Sequence, residues 1–226
     1  MALLFSPEWF RGYDIALEAF SMLVAFCITY FAWKSYTLTK EAKYKYFSIA
    51  FASIGASFLA RFLTTLAAFI TVSTTTAATE MHAALDSIEN LFSFGRILYI
   101  LLILGGYLIL LLCTMEVTNK KQIALFLILT LLLSYVASTN IHIFYLASLT
   151  YLTFVTLHYH ANWKKNKRST LARLTFLAFG LMLIEIILFI LSTISPSGPV
   201  FYVAAYAARC ISYLVLLGTF IKVWLR

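Results

Sequence analysis

The sequence predicts an all-α fold, a bundle of seven transmembrane helices, from three observations. Seven continuously apolar stretches alternate with short polar connections. Only 12% of the 226 residues are charged and 62% are hydrophobic, against about 25% charged in a soluble domain. Such a chain has too much apolar surface to bury in its own core, so lipid is its solvent. The third observation is the distribution of the 17 Lys and Arg residues, which fall almost entirely in alternate connections. The runs are continuous rather than alternating, which selects helices over a barrel.

The spans are expected near 13–33, 46–70, 91–113, 122–138, 141–159, 171–194 and 200–224. Each is about long enough to cross the hydrocarbon core, the fourth being the shortest. Trp9 and Phe10 precede the first as interfacial anchors. The opening MALLFSPEWFRGYD lacks a basic n-region and a long apolar region, so no cleaved signal peptide is expected. Between the second and third spans lies the longest connection, 71–90. Met81, Leu85, Ile88 and Phe92 recur there at helical spacing, and Asp86 with Glu89 forms a capping-box pattern, which predicts an amphipathic lead-in to the third helix. Ser195-Pro-Ser-Gly-Pro199 makes a tight turn before the seventh span.

Charge sets the expected orientation. Lys34, Lys40, Lys43 and Lys45 follow the first span, and Lys120 and Lys121 precede the fourth. Lys164, Lys165, Lys167, Arg168 and Arg173 follow the fifth, and Lys222 and Arg226 close the chain. With seven spans all of these share one side, opposite Glu8, Asp14, Glu80, Asp86 and Glu89. The positive-inside rule then puts the N-terminus outside and the C-terminus in the cytoplasm of a plasma-membrane protein. Five or six spans would scatter the basic residues over both faces. The net charge of +8 points to anionic headgroups rather than nucleic acid, because it sits beside membrane-length segments. The 160–173 loop, basic over 164–168, is the expected docking surface for headgroups or a protein partner. Residues 1–226 read as a single integral membrane domain.

The two outer thirds of the chain share spaced features. Trp33-Lys34 closes the first span and Trp163-Lys164 follows the fifth. Phe51 and Gly55 match Phe176 and Gly180. Arg96 precedes Gly105 as Arg209 precedes Gly218, with Tyr107 and Phe220 two residues on. A parallel duplication, three helices plus a linker helix plus three, accounts for this order. Chance matching among apolar helices is the competing account.

Five ionisable residues lie inside spans: Glu18, Arg61, Arg96, Glu185 and Arg209. At about 1.5 Å per residue, Arg61, Glu185 and Arg209 fall near the midplane, with Glu18 and Arg96 closer to the outer boundary. A lone Arg at mid-bilayer costs about 3 kcal/mol on insertion scales, so the five are expected to face the interior and pair. Glu185 is the expected partner of Arg61 or Arg209, and Glu18 of Arg96. Tyr99, Tyr202, Tyr206 and His142 supply neutral hydrogen bonds at similar depth. Three arginines against two glutamates leave one positive charge. That suits a structural network with the surplus met by water, Asp86 or Glu89, an outward pocket for a small anionic ligand, or a relay through Glu185. The ligand-binding set is Arg61, Arg96, Glu185, Arg209, Glu18, Tyr99 and Tyr206.

Weaker signals stand apart. Cys27, Cys113 and Cys210 match no zinc or redox spacing, and His158 and His160 do not share a helix face. Ala52, Ala56 and Ala60, and Ala204 and Ala208, form small-residue stripes suited to close helix packing. There is no HExxH, GxSxG or P-loop, and no enzyme activity, metal or cofactor is expected.

Seven helices, an outer N-terminus and small loops resemble the microbial rhodopsins, down to Arg96 near the outer end of the third span. That resemblance implies retinal, but Arg209 stands at the depth of the Schiff-base lysine, and the one lysine of the seventh span is Lys222 at its cytoplasmic end. Tyr99 stands where that family has an acidic counter-ion, so retinal is not expected. The three-one-three layout is similar to the SWEET and PQ-loop sugar transporters, without their Pro-Gln motifs. The chain also resembles the seven-helix sensor modules of prokaryotic signalling proteins. The function expected is a membrane sensor or receptor-like module; the alternatives are a small-solute transporter and a structural subunit without ligand.

Overall fold

The computed structural model of the chain describes residues 10, 12–74, 78–117, 119–166 and 169–224, and only the backbone within 68–74 and 78–88. Seven helices make up this part: α1 Tyr13–Thr39, α2 Ala42–Thr74, α3 Ala78–Thr114, α4 Lys120–Thr139, α5 Ile141–Lys165, α6 Thr170–Ile194 and α7 Gly198–Trp224. Each contains a segment long and apolar enough to cross a membrane. The seven-helix architecture expected from the sequence is therefore observed, with each expected span lying on its own helix.

Several helices run past their expected spans, at both ends of the bundle. α1 continues six residues beyond 33, to Thr39, and α5 six beyond 159, to Lys165. Hydropathy marks where hydrocarbon ends, but a helix keeps its backbone bonds into the interface. Lys164 and Lys165 in the last turn of α5 also suit the negative end of the helix dipole. The 34–45 connection is accordingly almost all helix. Lys40, left-handed at φ 59°, caps α1 through its N–H to the Tyr36 carbonyl at 2.8 Å, and α2 begins two residues later.

The 71–90 connection differs in a similar way. α3 is continuous from Ala78, so the lead-in is helical but Asp86 lies well inside the helix rather than at its start. The side chains of Met81, Leu85, Asp86 and Ile88 lie outside the described residues. So do Arg11, Lys167, Arg168 and Arg226.

Polar caps explain the remaining boundaries. Asn119 accepts from the Lys121 N–H at 3.0 Å and starts α4. Asn140 alone separates α4 from α5 and accepts from the His142 N–H at 3.0 Å. Ser169 caps α6 through the Ala172 N–H. These side chains satisfy donors that a helix start leaves free. Before α7 the Ser195–Gly198 turn is tight, since a Cβ on Gly198 would come 2.5 Å from the Ser192 carbonyl oxygen. Pro199 then occupies the first turn of α7, where its missing N–H costs nothing.

The helices pack in a sequential ring, α1–α2–α3–α5–α6–α7, closed by α7 against α1. α4 lies outside it, against α3 and α5. Its buried residues are Thr130, Ser134, Ala137 and Ser138, a narrow small-residue stripe. Leu125, Ile128, Leu132 and Tyr135 on the rest of its surface are exposed. Close approach of α2 and α3 rests on glycine rather than on the expected alanine stripe. A Cβ on Gly106 would meet Ile54 Cγ1 at 2.6 Å and the Ala50 carbonyl oxygen at 2.9 Å, whereas Ala52, Ala56 and Ala60 are only half-buried. Buried hydroxyls tie the helices across their seams: Ser53 donates to the Leu102 carbonyl at 2.6 Å and Ser48 to the Thr29 carbonyl at 3.0 Å. Thr130 and Tyr151 bond at 2.8 Å between α4 and α5.

The two ends of the bundle are chemically distinct. Asp14 and Glu89 mark one, here the acidic end. Lys34, Lys43, Lys120, Lys164 and Lys222 mark the other, the basic end. The interior toward the basic end is packed with rings from four helices. Phe47 lies 5.8 Å from Phe51, 6.1 Å from Phe179 and 5.4 Å from Phe220, and Tyr159 stacks on Phe179 at 4.9 Å.

Candidate ligand cavity at the acidic end

The interior toward the acidic end is organised around charge. α6 places Glu185 and α7 places Arg209 at facing positions, and Arg209 Nε donates to Glu185 Oε1 at 2.6 Å. Both residues are 3% exposed. Three rings surround the guanidinium, with centroids 5.1 Å (Phe58), 5.2 Å (Phe189) and 4.9 Å (Tyr206) from Cζ. Such contacts favour a weakly hydrated planar cation. Arg209 Nη1 is buried and has no hydrogen-bond partner among the described residues.

A second pair joins α1 to α2. Arg61 Nε lies 2.9 Å from Glu18 Oε1. Tyr206 donates to the same carboxylate oxygen at 2.9 Å, and its hydroxyl lies 3.3 Å from that of Tyr202. The guanidinium of Arg61 sits 5.4 Å from the centroid of Tyr99. Tyr206 therefore touches both pairs, one through its hydroxyl and one through its ring face. This links α1, α2, α6 and α7 in one polar assembly.

Of the expected pairings, Glu185 with Arg209 is present. Glu18 with Arg96 is not: Glu18 binds Arg61, and Arg96 is exposed with no ion pair among the described residues. Depth counted from span ends put Glu18 and Arg61 at different levels. That count treated each residue as a point on its helix axis and allowed nothing for the reach of an arginine side chain. His142 is also exposed, and its backbone N–H donates to the Asn140 side chain at the start of α5. Tyr202 and Tyr206 join the assembly through their hydroxyls as expected, whereas Tyr99 joins through its ring face against Arg61.

Both pairs border a cavity of about 710 Å³, which extends from the acidic end down α3 as far as Tyr107. Its wall includes Asp14, Glu18, Arg61, Glu89, Arg96, Tyr99, Tyr145, Glu185, Phe189, Tyr202 and Arg209. All three arginines anticipated for a pocket line it, but so do four carboxylates. Asp14 and Glu89 offset the positive surplus that two glutamates alone would leave. Asp14 also accepts from the Gly12 and Ile15 N–H groups at 2.9 Å, which holds it at the start of α1. Among the described residues no three His, Cys, Asp or Glu side chains are grouped to hold a metal ion.

Phe58 and Phe189 escaped the sequence reading, and Asp14 was read only as an outer-side charge, although helical spacing contains a signal for each. Phe58 precedes Arg61 by three residues, Phe189 follows Glu185 by four, and Asp14 precedes Glu18 by four, so each shares a helix face with a charge already singled out. Tyr145 on α5 had no such neighbour. It stacks on Phe189 at 6.0 Å, a contact only the ring order of the helices reveals.

Compared with protein-family models, with curated proteins and with solved structures, the chain has no significant match to any.

Proposed function

We propose that the protein is a seven-helix membrane sensor or receptor-like module that binds a small ligand in the acidic-end cavity. It signals through a separate partner. One observation carries this reading: the cavity's lining runs in from the acidic end and the ring-packed interior lies between it and the basic end. The lining reaches past both ion pairs, while the Phe47, Phe51, Tyr159, Phe179 and Phe220 rings fill the interior toward the basic end. A volume of about 710 Å³ is within the range of small-molecule sites. A transporter needs a path to both faces, and the aromatic packing opposes one.

In this reading the acidic end faces outward, as the positive-inside rule places it in a plasma membrane. The basic-end loops meet anionic headgroups, and the 160–173 loop is the partner-docking surface. The three-one-three duplication belongs to the same proposal. It is supported by the two joints of the ring, α1 with α7 and α3 with α5, which exchange when the first three helices are carried onto the last three. Against it, the matched Arg96 and Arg209 sit in unlike surroundings, one exposed and one buried.

Proteoliposomes containing only this protein test the reading. Candidate solutes are expected to protect it from thermal unfolding without being accumulated. Protein-dependent uptake of any solute that protects it would replace the sensor with a transporter.

A further inference from the structure

The chemistry of the cavity wall also selects a class of ligand; this step rests on the cavity being a ligand site. Glu185 occupies the Nε side of Arg209. The Phe58, Phe189 and Tyr206 rings lie about the guanidinium, and Nη1 remains without an acceptor. An unpaired buried donor is costly, and an acceptor of any charge satisfies it.

Charge decides between acceptors. Arg209 and Arg61 are already paired with carboxylates. Arg96 remains, in a wall that also holds Asp14 and Glu89. An incoming anion therefore meets two arginines already paired, and at the rim one free arginine outnumbered by Asp14 and Glu89. An incoming cation gains at the rim from Asp14 and Glu89, but deeper in it meets Arg209, and its donors do nothing for Nη1. An uncharged oxygen acceptor supplies what Nη1 lacks and adds no charge.

The wall also carries a row of aromatic rings. Tyr99, Phe144, Tyr145 and Phe189 form a chain of ring contacts at 5.8, 5.4 and 6.0 Å between successive centroids. Such a wall favours a ring-bearing body, by offset or edge contacts. We propose that the cavity takes an uncharged, ring-bearing molecule whose carbonyl-type oxygen accepts from the edge of Arg209 that Glu185 leaves free. The small anion suggested by counting span charges is the alternative that this replaces.

Three probes of one shape separate the classes: 4-fluoroacetophenone, 4-fluorobenzoate and 4-fluorobenzylammonium. Each is titrated by fluorine NMR against the full chain in lipid nanodiscs, with empty nanodiscs subtracted to remove partitioning. The expected result is saturable binding of the acetophenone, about tenfold tighter than either charged probe. Arg209→Lys, which keeps the charge and loses the second edge, is expected to weaken it by about tenfold, the worth of one charge-assisted bond. If Arg209→Lys does not fold, Ser93→Trp leaves both ion pairs in place, narrows the half-exposed wall, and is expected to abolish binding. Tighter binding of benzoate or benzylammonium, or acetophenone binding unchanged by Arg209→Lys, overturns the ligand class and leaves the cavity reading standing, whereas acetophenone binding unchanged by Ser93→Trp places the probe outside the cavity and overturns both. Saturable binding of none of the three overturns the cavity as a ligand site, and this inference with it.

Discussion

The acidic and basic halves of the bundle solve the same problem in opposite ways. Toward the basic end, helix contact is made by rings and by glycine, with Phe47 between Phe51, Phe179 and Phe220 and Gly106 against Ala50 and Ile54. Toward the acidic end, two ion pairs and a shared tyrosine span four helices around a cavity. Lipid tails offer no hydrophobic drive for one helix to join another, so association depends on close packing and interhelical hydrogen bonds. The packed half relies on the first, with single hydroxyl bonds such as Ser48 to the Thr29 carbonyl added, and leaves no space. The charged half uses the second, which holds helices together while leaving volume between them. A protein that needs a stable bundle and an internal cavity gains from dividing the two tasks by depth.

Removing one member of the buried pair is expected to have the largest effect. Glu185→Leu leaves Arg209 buried without its counter-charge and should cost about 3–5 kcal/mol, measured by denaturant titration of the protein in mixed micelles. The double variant Glu185→Leu with Arg209→Met should recover most of that loss, because no orphan charge remains. A single variant as stable as the parent would erase the distinction between the halves. In the packed half, Gly106→Leu should cost about 1–3 kcal/mol by overpacking against Ile54 and the Ala50 carbonyl. The same titration checks it, and an unaffected variant would show that α2 and α3 have room to separate.

Smaller changes sharpen the contrast. Tyr206→Phe deletes the hydroxyl that reaches Glu18 while keeping the ring against Arg209, and should cost about 1 kcal/mol. Ser53→Ala removes a single interhelical bond to the Leu102 carbonyl and should cost about 0.6 kcal/mol. Equal losses from these two would mean that the polar assembly is no more cooperative than an ordinary seam.

Most of the fold was legible because the bilayer imposes one rule on every span: backbone groups must be bonded within the helix. Continuous apolar runs therefore located all seven helices. The helix ends were less legible, since α1 and α5 continue through Lys34 and Lys164 into the interface, where hydropathy falls but helical bonding does not. The site was legible as composition and not as pairing. Intramembrane Glu and Arg stand out in any apolar run, yet choosing Arg61 rather than Arg96 for Glu18 depends on which helices adjoin. Seeing that α1 packs on α2 and α7 settles it; the distance of a residue from a span end does not. The charge balance was legible in part, since Glu89 was among the groups expected to meet the surplus and Asp14 was not. Asp14 lies at a span edge and reads as a boundary residue, whereas the fold turns it, with Glu89, toward the cavity.

The one-ended cavity is tested most directly by labelling single cysteines with a membrane-impermeant thiol reagent added to one face at a time. Cys27, Cys113 and Cys210 are first replaced by Ser, and the protein is placed in one orientation in proteoliposomes. Ile103→Cys, on the cavity wall between the two halves, should react with reagent added at the acidic end and not at the basic end. Phe51→Cys, in the ring-packed half, should react from neither. Labelling of Ile103→Cys from the basic end, or from neither end, would contradict a cavity that opens on one face only.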